Sequence, residues 1–146
     1  MNVNISKEFR WEMSHRLPYH EGPCNNIHGH TYRIRIELQG EPTKEGMVLD
    51  YYHIKRIISP LIDQLDHSFI CDNSDKTMLD FLKTNNFKYY LLPEYTTAEN
   101  ITKFFLKQLI PQFQKYKNLT TVKVRVYETE DVFAEVSANL IESGIV

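Results

Sequence analysis

Apolar and polar residues alternate from residue 3 to 15, where Phe9, Trp11 and Met13 share one parity. They alternate again from 30 to 39, where Tyr32, Ile34, Ile36 and Leu38 oppose Arg33, Arg35, Glu37 and Gln39. A period of two sends alternate side chains to opposite faces, so both stretches are predicted strands, the second ended by Gly40, Pro42 and Gly46. From Asp50 the period lengthens: Ile54, Ile57, Ile58, Leu61, Ile62 and Leu65 recur three or four apart, as on one face of a helix that Pro60 should bend or break. A second helix is expected from Thr96-Thr97-Ala98-Glu99, a capping-box pattern in which Thr96 accepts from the Glu99 amide. It would carry Ile101, Phe104, Phe105, Leu109 and Phe113 inward, with Pro111 ending or kinking it. Alternation returns over 119–129, Val122, Val124 and Val126 against Lys123, Arg125 and Tyr127, and a last strand over 132–141 follows a turn at Glu130-Asp131.

The order is therefore strand, strand, helix, helix, strand, strand. Between the helices, residues 68–95 form an elaboration in which Lys76 to Leu82 suits a short helix, Asn85-Asn86 a turn and Phe87 to Leu92 a short strand. That stretch is either a lid or subunit contact, or a packed surface excursion. The 146 residues make one domain, 1–146, large enough to bury about two-thirds of its unfolded surface. A hydrophobic share of 42%, a charged share of 25% and a net charge of −2 are ordinary, and no Lys or Arg run marks a nucleic-acid face, so the expected partner is small. No stretch approaches the roughly 20 apolar residues of a membrane span, and residues 1–20 lack a signal-peptide pattern, making the cytoplasm the expected setting. Cys24 and Cys71 lie too far apart for a Cys-x-x-Cys pair, so a disulfide framework is not expected.

Chemistry concentrates early. His15, Cys24, His28 and His30 fall within sixteen residues, the last three as Cys-x3-His-Gly-His. Side chains two apart on a strand share a face, so His28 and His30 can close on one ion, and His15 joins them if the two strands pair as an antiparallel hairpin. Three imidazoles suit Zn2+ and leave a coordination position open for water or substrate, a catalytic trait. Cys24 is either a free thiol beside that ion or a fourth ligand that would close the site. Asp66-His67 at the end of the first helix is either a proton relay, if the chain turns there, or a cap. Glu128 continues the parity of Val122, Val124 and Val126, so its carboxylate either meets N–H donors of a ligand or ends the strand at a solvated rim.

Phe9-Arg10-Trp11-Glu12-Met13-Ser14-His15-Arg16-Leu17, Cys24-Asn25-Asn26-Ile27-His28-Gly29-His30, Gly46-Met47-Val48-Leu49-Asp50, Leu65-Asp66-His67, Thr96-Thr97-Ala98-Glu99-Asn100 and Tyr127-Glu128-Thr129 together resemble one family. It is the pterin synthases: the 6-pyruvoyltetrahydropterin synthases and the 6-carboxytetrahydropterin synthases of queuosine biosynthesis. The resemblance runs from about residue 5 to 136 apart from 68–95. It implies an α+β tunnelling fold, with a four-stranded antiparallel sheet in ββααββ order, two helices on one face, and assembly into homohexamers of two trimers. It also implies that His15, His28 and His30 hold Zn2+, that Cys24 is the base, that Asp66 and His67 form the relay, and that Glu128 anchors the pterin ring beside Thr97 and Glu99. The implied substrate is 7,8-dihydroneopterin triphosphate, which loses triphosphate in the pyruvoyl branch and also acetaldehyde in the carboxy branch. The three-residue gap between Cys24 and His28 favours the carboxy product, whereas Cys24-Asn25-Asn26 and Thr96-Thr97-x-Glu99-Asn100 resemble the pyruvoyl branch. A structural zinc module and a pterin-binding homologue without turnover are the rival classes, and Arg16 is a candidate triphosphate contact by proximity.

Overall fold

The computed structural model describes residues 1–141, so the last five positions of the expected domain lie outside the described residues. The elements are β1 (Val3–His15), β2 (His28–Gly40), α1 (Tyr51–Leu65), β3 (Ser68–Asp72), α2 (Lys76–Thr84), β4 (Tyr89–Leu92), α3 (Ala98–Phe113), β5 (Leu119–Tyr127) and β6 (Phe133–Asn139). A 3-10 turn, Pro23–Asn25, lies between β1 and β2. The four antiparallel strands and two long helices read from the sequence are present in the expected order.

The sheet is wider than four strands. It has six, in the order β4-β3-β1-β2-β5-β6, because β3 and β4 of the elaboration add to it in parallel. Every residue of β3 is buried, so this strand shows no alternation, and a run buried on both faces carries no period-two signal. The elaboration is thus part of the sheet, with α2 packing Met78, Leu79 and Leu82 onto Phe69 and Cys71 in a small second core.

The main core lies between one face of the sheet and the helices α1 and α3. Trp11, Met13, Tyr32, Ile34, Ile36 and Val124 from the strands meet Ile54, Ile58, Ile101, Phe105 and Leu109 from the helices. The opposite face is polar, with cross-strand pairs such as Arg33–Glu8 at 3.2 Å and Arg125–Glu135 at 2.8 Å. Such partly solvated pairs contribute little net stability; they keep this face wet and fix which face is buried.

Two helix expectations need correction. α1 runs unbroken through Pro60, since that residue is on the exposed side, where water can satisfy the Arg56 carbonyl that has lost its amide partner. The N-cap of α3 is Thr97, whose hydroxyl accepts from Asn100 N at 3.2 Å, one residue later than the expected Thr96-to-Glu99 bond. Thr96 is fully buried and turned inward toward His15, which removes it from capping. α3 ends at Phe113, two residues past Pro111.

Candidate active site

The β1–β2 register sets His15 directly opposite His28 and Met13 opposite His30, so all three imidazoles emerge on the core face at one end of the hairpin. Their ring centroids lie 4.6, 5.3 and 5.1 Å apart, and one ligand atom from each falls within 4.8 Å of the others. Two backbone carbonyls orient the rings. His15 Nδ1–H donates to Thr96 O at 2.7 Å and His28 Nδ1–H donates to Asn26 O at 2.7 Å, which leaves Nε2 of each neutral ring with its lone pair free. His15 Nε2 and His30 Nε2 are buried with no hydrogen-bond partner. Buried nitrogens without partners are costly in a folded chain, and two of them converging with the half-buried His28 ring fit a metal ion.

Burial pushes His15 down from 6.5 to about 4; the Thr96 carbonyl opposes that fall, and His28 and His30 add to it. Burial, then His28, also lowers His30. These shifts favour the neutral, ligating form at neutral pH, and they have a consequence for the metal-free chain. Between pH 6.5 and about 4 the unfolded chain carries a proton on His15 that the folded chain does not, so stability falls as pH drops through this window. The shift from 6.5 to about 4 corresponds to about 3 kcal/mol. Urea unfolding of chelator-treated protein at about pH 7 and about pH 4.5 should show most of that loss, and a His15→Gln variant should show less of it. Equal pH dependence in the two proteins would contradict this.

Cys24 sits half-buried in the 3-10 turn, its carbonyl accepting from Leu17 N at 2.8 Å. Among the described residues the group that could hold a metal ion consists of His15, His28 and His30, and the Cys24 sulfur is not part of it. Glu128 follows the last residue of β5, and its Oε2 lies 3.7 Å from His30 Nε2. Burial raises its carboxyl, His28 lowers it and Glu99 raises it, and this half-buried acid sits against the imidazoles in a cavity that Arg10 and Arg33 also line. Thr97 and Glu99 occupy the first turn of α3, with Glu99 exposed.

Asp66 and His67 do touch, because the chain turns sharply where α1 ends. Asp66 is the C-cap, His67 has φ 58, and His67 Nδ1 lies 3.0 Å from Asp66 Oδ2. The Glu12 amide, donating to Asp66 Oδ1 at 2.9 Å, is the main cause holding that carboxyl below its usual range. His67 and His30 line one cavity of 590 Å³, walled on its far side by Met78, Phe81 and Leu82 of α2. Cys24 does not line it. The sequence reading therefore missed that the elaboration walls this cavity. It also missed the orienting carbonyls of Thr96 and Asn26, which carry no side-chain signal. Arg16 is not a free cation: its guanidinium is paired with Asp75 at 2.7 Å.

A profile of the family described as 6-pyruvoyl tetrahydropterin synthase matches residues 4–139. The chain belongs to the 6-pyruvoyl tetrahydropterin synthase family. A 6-carboxy-5,6,7,8-tetrahydropterin synthase of Haemophilus influenzae is 36% identical over 90% of this chain and 96% of its own length. Another, from Aquifex aeolicus, is 34% identical over 92% of this chain and 98% of its own. Among solved structures, the 6-pyruvoyl tetrahydropterin synthase of Plasmodium vivax superposes with a TM-score of 0.77 at 20% identity, covering 95% of this chain and 99% of that one. That structural likeness fixes the tunnelling fold. This member of the 6-pyruvoyl tetrahydropterin synthase family is accordingly an enzyme of the tetrahydropterin synthase type, with a histidine group that could hold a metal ion. No helix among its described residues is long and apolar enough to cross a membrane.

Proposed function

We propose that the protein is a zinc-dependent 6-carboxytetrahydropterin synthase, converting 7,8-dihydroneopterin triphosphate to 6-carboxy-5,6,7,8-tetrahydropterin with release of triphosphate and acetaldehyde, a step toward 7-deazapurines. The observation that carries this reading is the convergence of His15, His28 and His30 with a thiol left outside the group, in a chain 36% identical to a protein of that name. The 6-pyruvoyl product, formed by loss of triphosphate alone, is the second reading, favoured by the Thr96-Thr97-x-Glu99-Asn100 pattern.

In this reading His15, His28 and His30 hold Zn2+. When bound, the ion supplies Lewis acidity to a substrate hydroxyl placed against it. The Cys24 thiolate removes the proton from the adjoining side-chain carbon. Glu128 accepts the ring N–H and amino groups of the pterin, a role that would account for a half-buried carboxylate at the end of an apolar strand face, and Thr97 and Glu99 line the same ring pocket. His67 moves a proton at its ring nitrogen while Asp66 orients that ring through Nδ1.

The proposed assembly is a single domain in a homohexamer of two trimers. Exposed strand edges support it: among the described residues β1 pairs with β3 only at Met13 and Ser14, and β6 pairs only with β5. Both Cys24 and Cys71 are free thiols, a state that fits the cytoplasm. The proposed partner is the small substrate, with no nucleic acid or membrane involved. Incubation of the zinc-loaded protein with 7,8-dihydroneopterin triphosphate tests the reading. Equimolar triphosphate and acetaldehyde are expected; triphosphate alone would establish the pyruvoyl product, and neither would make the protein a binding homologue.

A further inference from the structure

The loop that carries Cys24, residues 16–26, is held mostly by bonds within itself. Leu17 N donates to Cys24 O at 2.8 Å, His20 N to Leu17 O at 2.9 Å, and Asn25 Nδ2 to Pro18 O at 3.0 Å and His20 O at 3.2 Å. A loop braced in this way takes its aim from its two roots, with Tyr19 resting on the Tyr95 ring at 4.3 Å and Asn26 O bonded to His28 at the far end. The near root is Arg16, the residue between His15 and the amide that clips Cys24. Its carbonyl accepts from Thr96 Oγ1 at 3.4 Å. Its guanidinium grips Asp75 at two points, Nε to Oδ2 at 2.7 Å and Nη2 to Oδ1 at 2.8 Å.

The other end of this clamp is rigid. Asp75 caps α2, Oδ1 accepting from Met78 N at 3.3 Å, and α2 is packed onto β3 through the second core. Only 20% of the Arg16 side chain and 5% of the Asp75 side chain are exposed. Among the described residues this is the one ion pair that ties 16–26 to the rest of the chain. A two-point guanidinium–carboxylate pair fixes direction as well as distance, which a single ammonium contact would not.

We infer that Asp75, acting through Arg16, is a positioning residue for Cys24, so that the elaboration between the two long helices aims the thiol. The inference rests on the assignment of Cys24 as the base. A proton transfer tolerates little displacement, an error of about 1 Å costing up to about a hundredfold in rate. Neutralised by Asp75, Arg16 is poorly suited to bind a polyanion, which separates this role from a direct contact with triphosphate.

The test uses zinc-loaded Asp75→Ala, Arg16→Ala, the double variant and Arg16→Lys, with 7,8-dihydroneopterin triphosphate as substrate. Each single alanine variant is expected to lose about tenfold in kcat with KM within about twofold and zinc content unchanged, and the double variant to be no worse than either single. Peptide mapping should show Cys24 alkylated by iodoacetamide about threefold faster in Asp75→Ala, as the loop leaves its seat. Should the alanine variants fail to fold, Arg16→Lys, which keeps the charge and loses the fork, is expected to show the same fall in kcat. An unchanged kcat in any folded variant overturns the inference, as does a raised KM at constant kcat, which would make Arg16 a substrate contact. The alkylation rate reads loop position without turnover; a Cys24→Ala variant that keeps its activity would instead overturn the base assignment itself.

Discussion

Cys24→Ala is expected to lower turnover by about a thousandfold while zinc content stays at its original level, because removal of a positioned base costs about 10² to 10⁴ in rate. The separation of the two effects follows from geometry. Among the described residues the group that could hold a metal ion consists of His15, His28 and His30, with the Cys24 sulfur outside it. Its backbone place is set by the 3-10 turn and the Leu17 N bond to the Cys24 carbonyl, and alanine preserves both. Turnover and zinc stoichiometry on one preparation check the prediction. Zinc lost together with activity would make the sulfur a fourth ligand and the site structural; activity retained would remove Cys24 from the mechanism.

The convergence of the three histidines was legible in the sequence because strand parity is a short-range property. His15 shares a face with Met13 and Trp11, and His28 and His30 share one with Tyr32, so antiparallel pairing of the two strands was enough to bring them together. Asp66-His67 was readable as residues and unreadable as a contact: the approach of their side chains needs the positive φ of His67 at the end of α1, which no pattern announces. Contacts that span long stretches of chain were invisible. Arg16 and Asp75 are 59 residues apart, His15 and Thr96 are 81 apart, and each pair meets only because β3 joins the sheet beside β1 and because α3 starts behind the hairpin. The parallel strands failed for a related reason, since β3 is buried on both faces and shows no alternation. Local periodicity thus specified the hairpin that presents the three histidines, while the cavity wall and the root of the Cys24 loop were set by packing of the elaboration.

His28→Ala is expected to release the metal, with affinity falling by at least about a hundredfold and turnover reduced to background even in excess zinc, since loss of a ligand must cost more than the tenfold to hundredfold of losing an orienting partner. His28 is the informative member of the trio because its surroundings separate metal loss from misfolding. His15 is buried beside Thr96 and against the Tyr32 ring at 6.1 Å, so its truncation would open a hole in the core. His28 is only half-buried, and among the described residues its ring bonds to Asn26 O two residues away. The chelator-treated variant should therefore unfold within about 3 °C of the chelator-treated parent, less than the shift from about 1 kcal/mol in a domain of this size. Zinc content after dialysis and thermal unfolding of the two metal-free proteins decide the matter. A variant that keeps zinc and turnover would show that the remaining imidazoles find another ligand. A variant that unfolds far below the parent would mean that this residue holds the hairpin end together, and its zinc loss would then say nothing about coordination. The same pair of measurements on Cys24→Ala gives the opposite pattern, metal kept and turnover gone, and the two results together would assign the metal and the base to separate side chains.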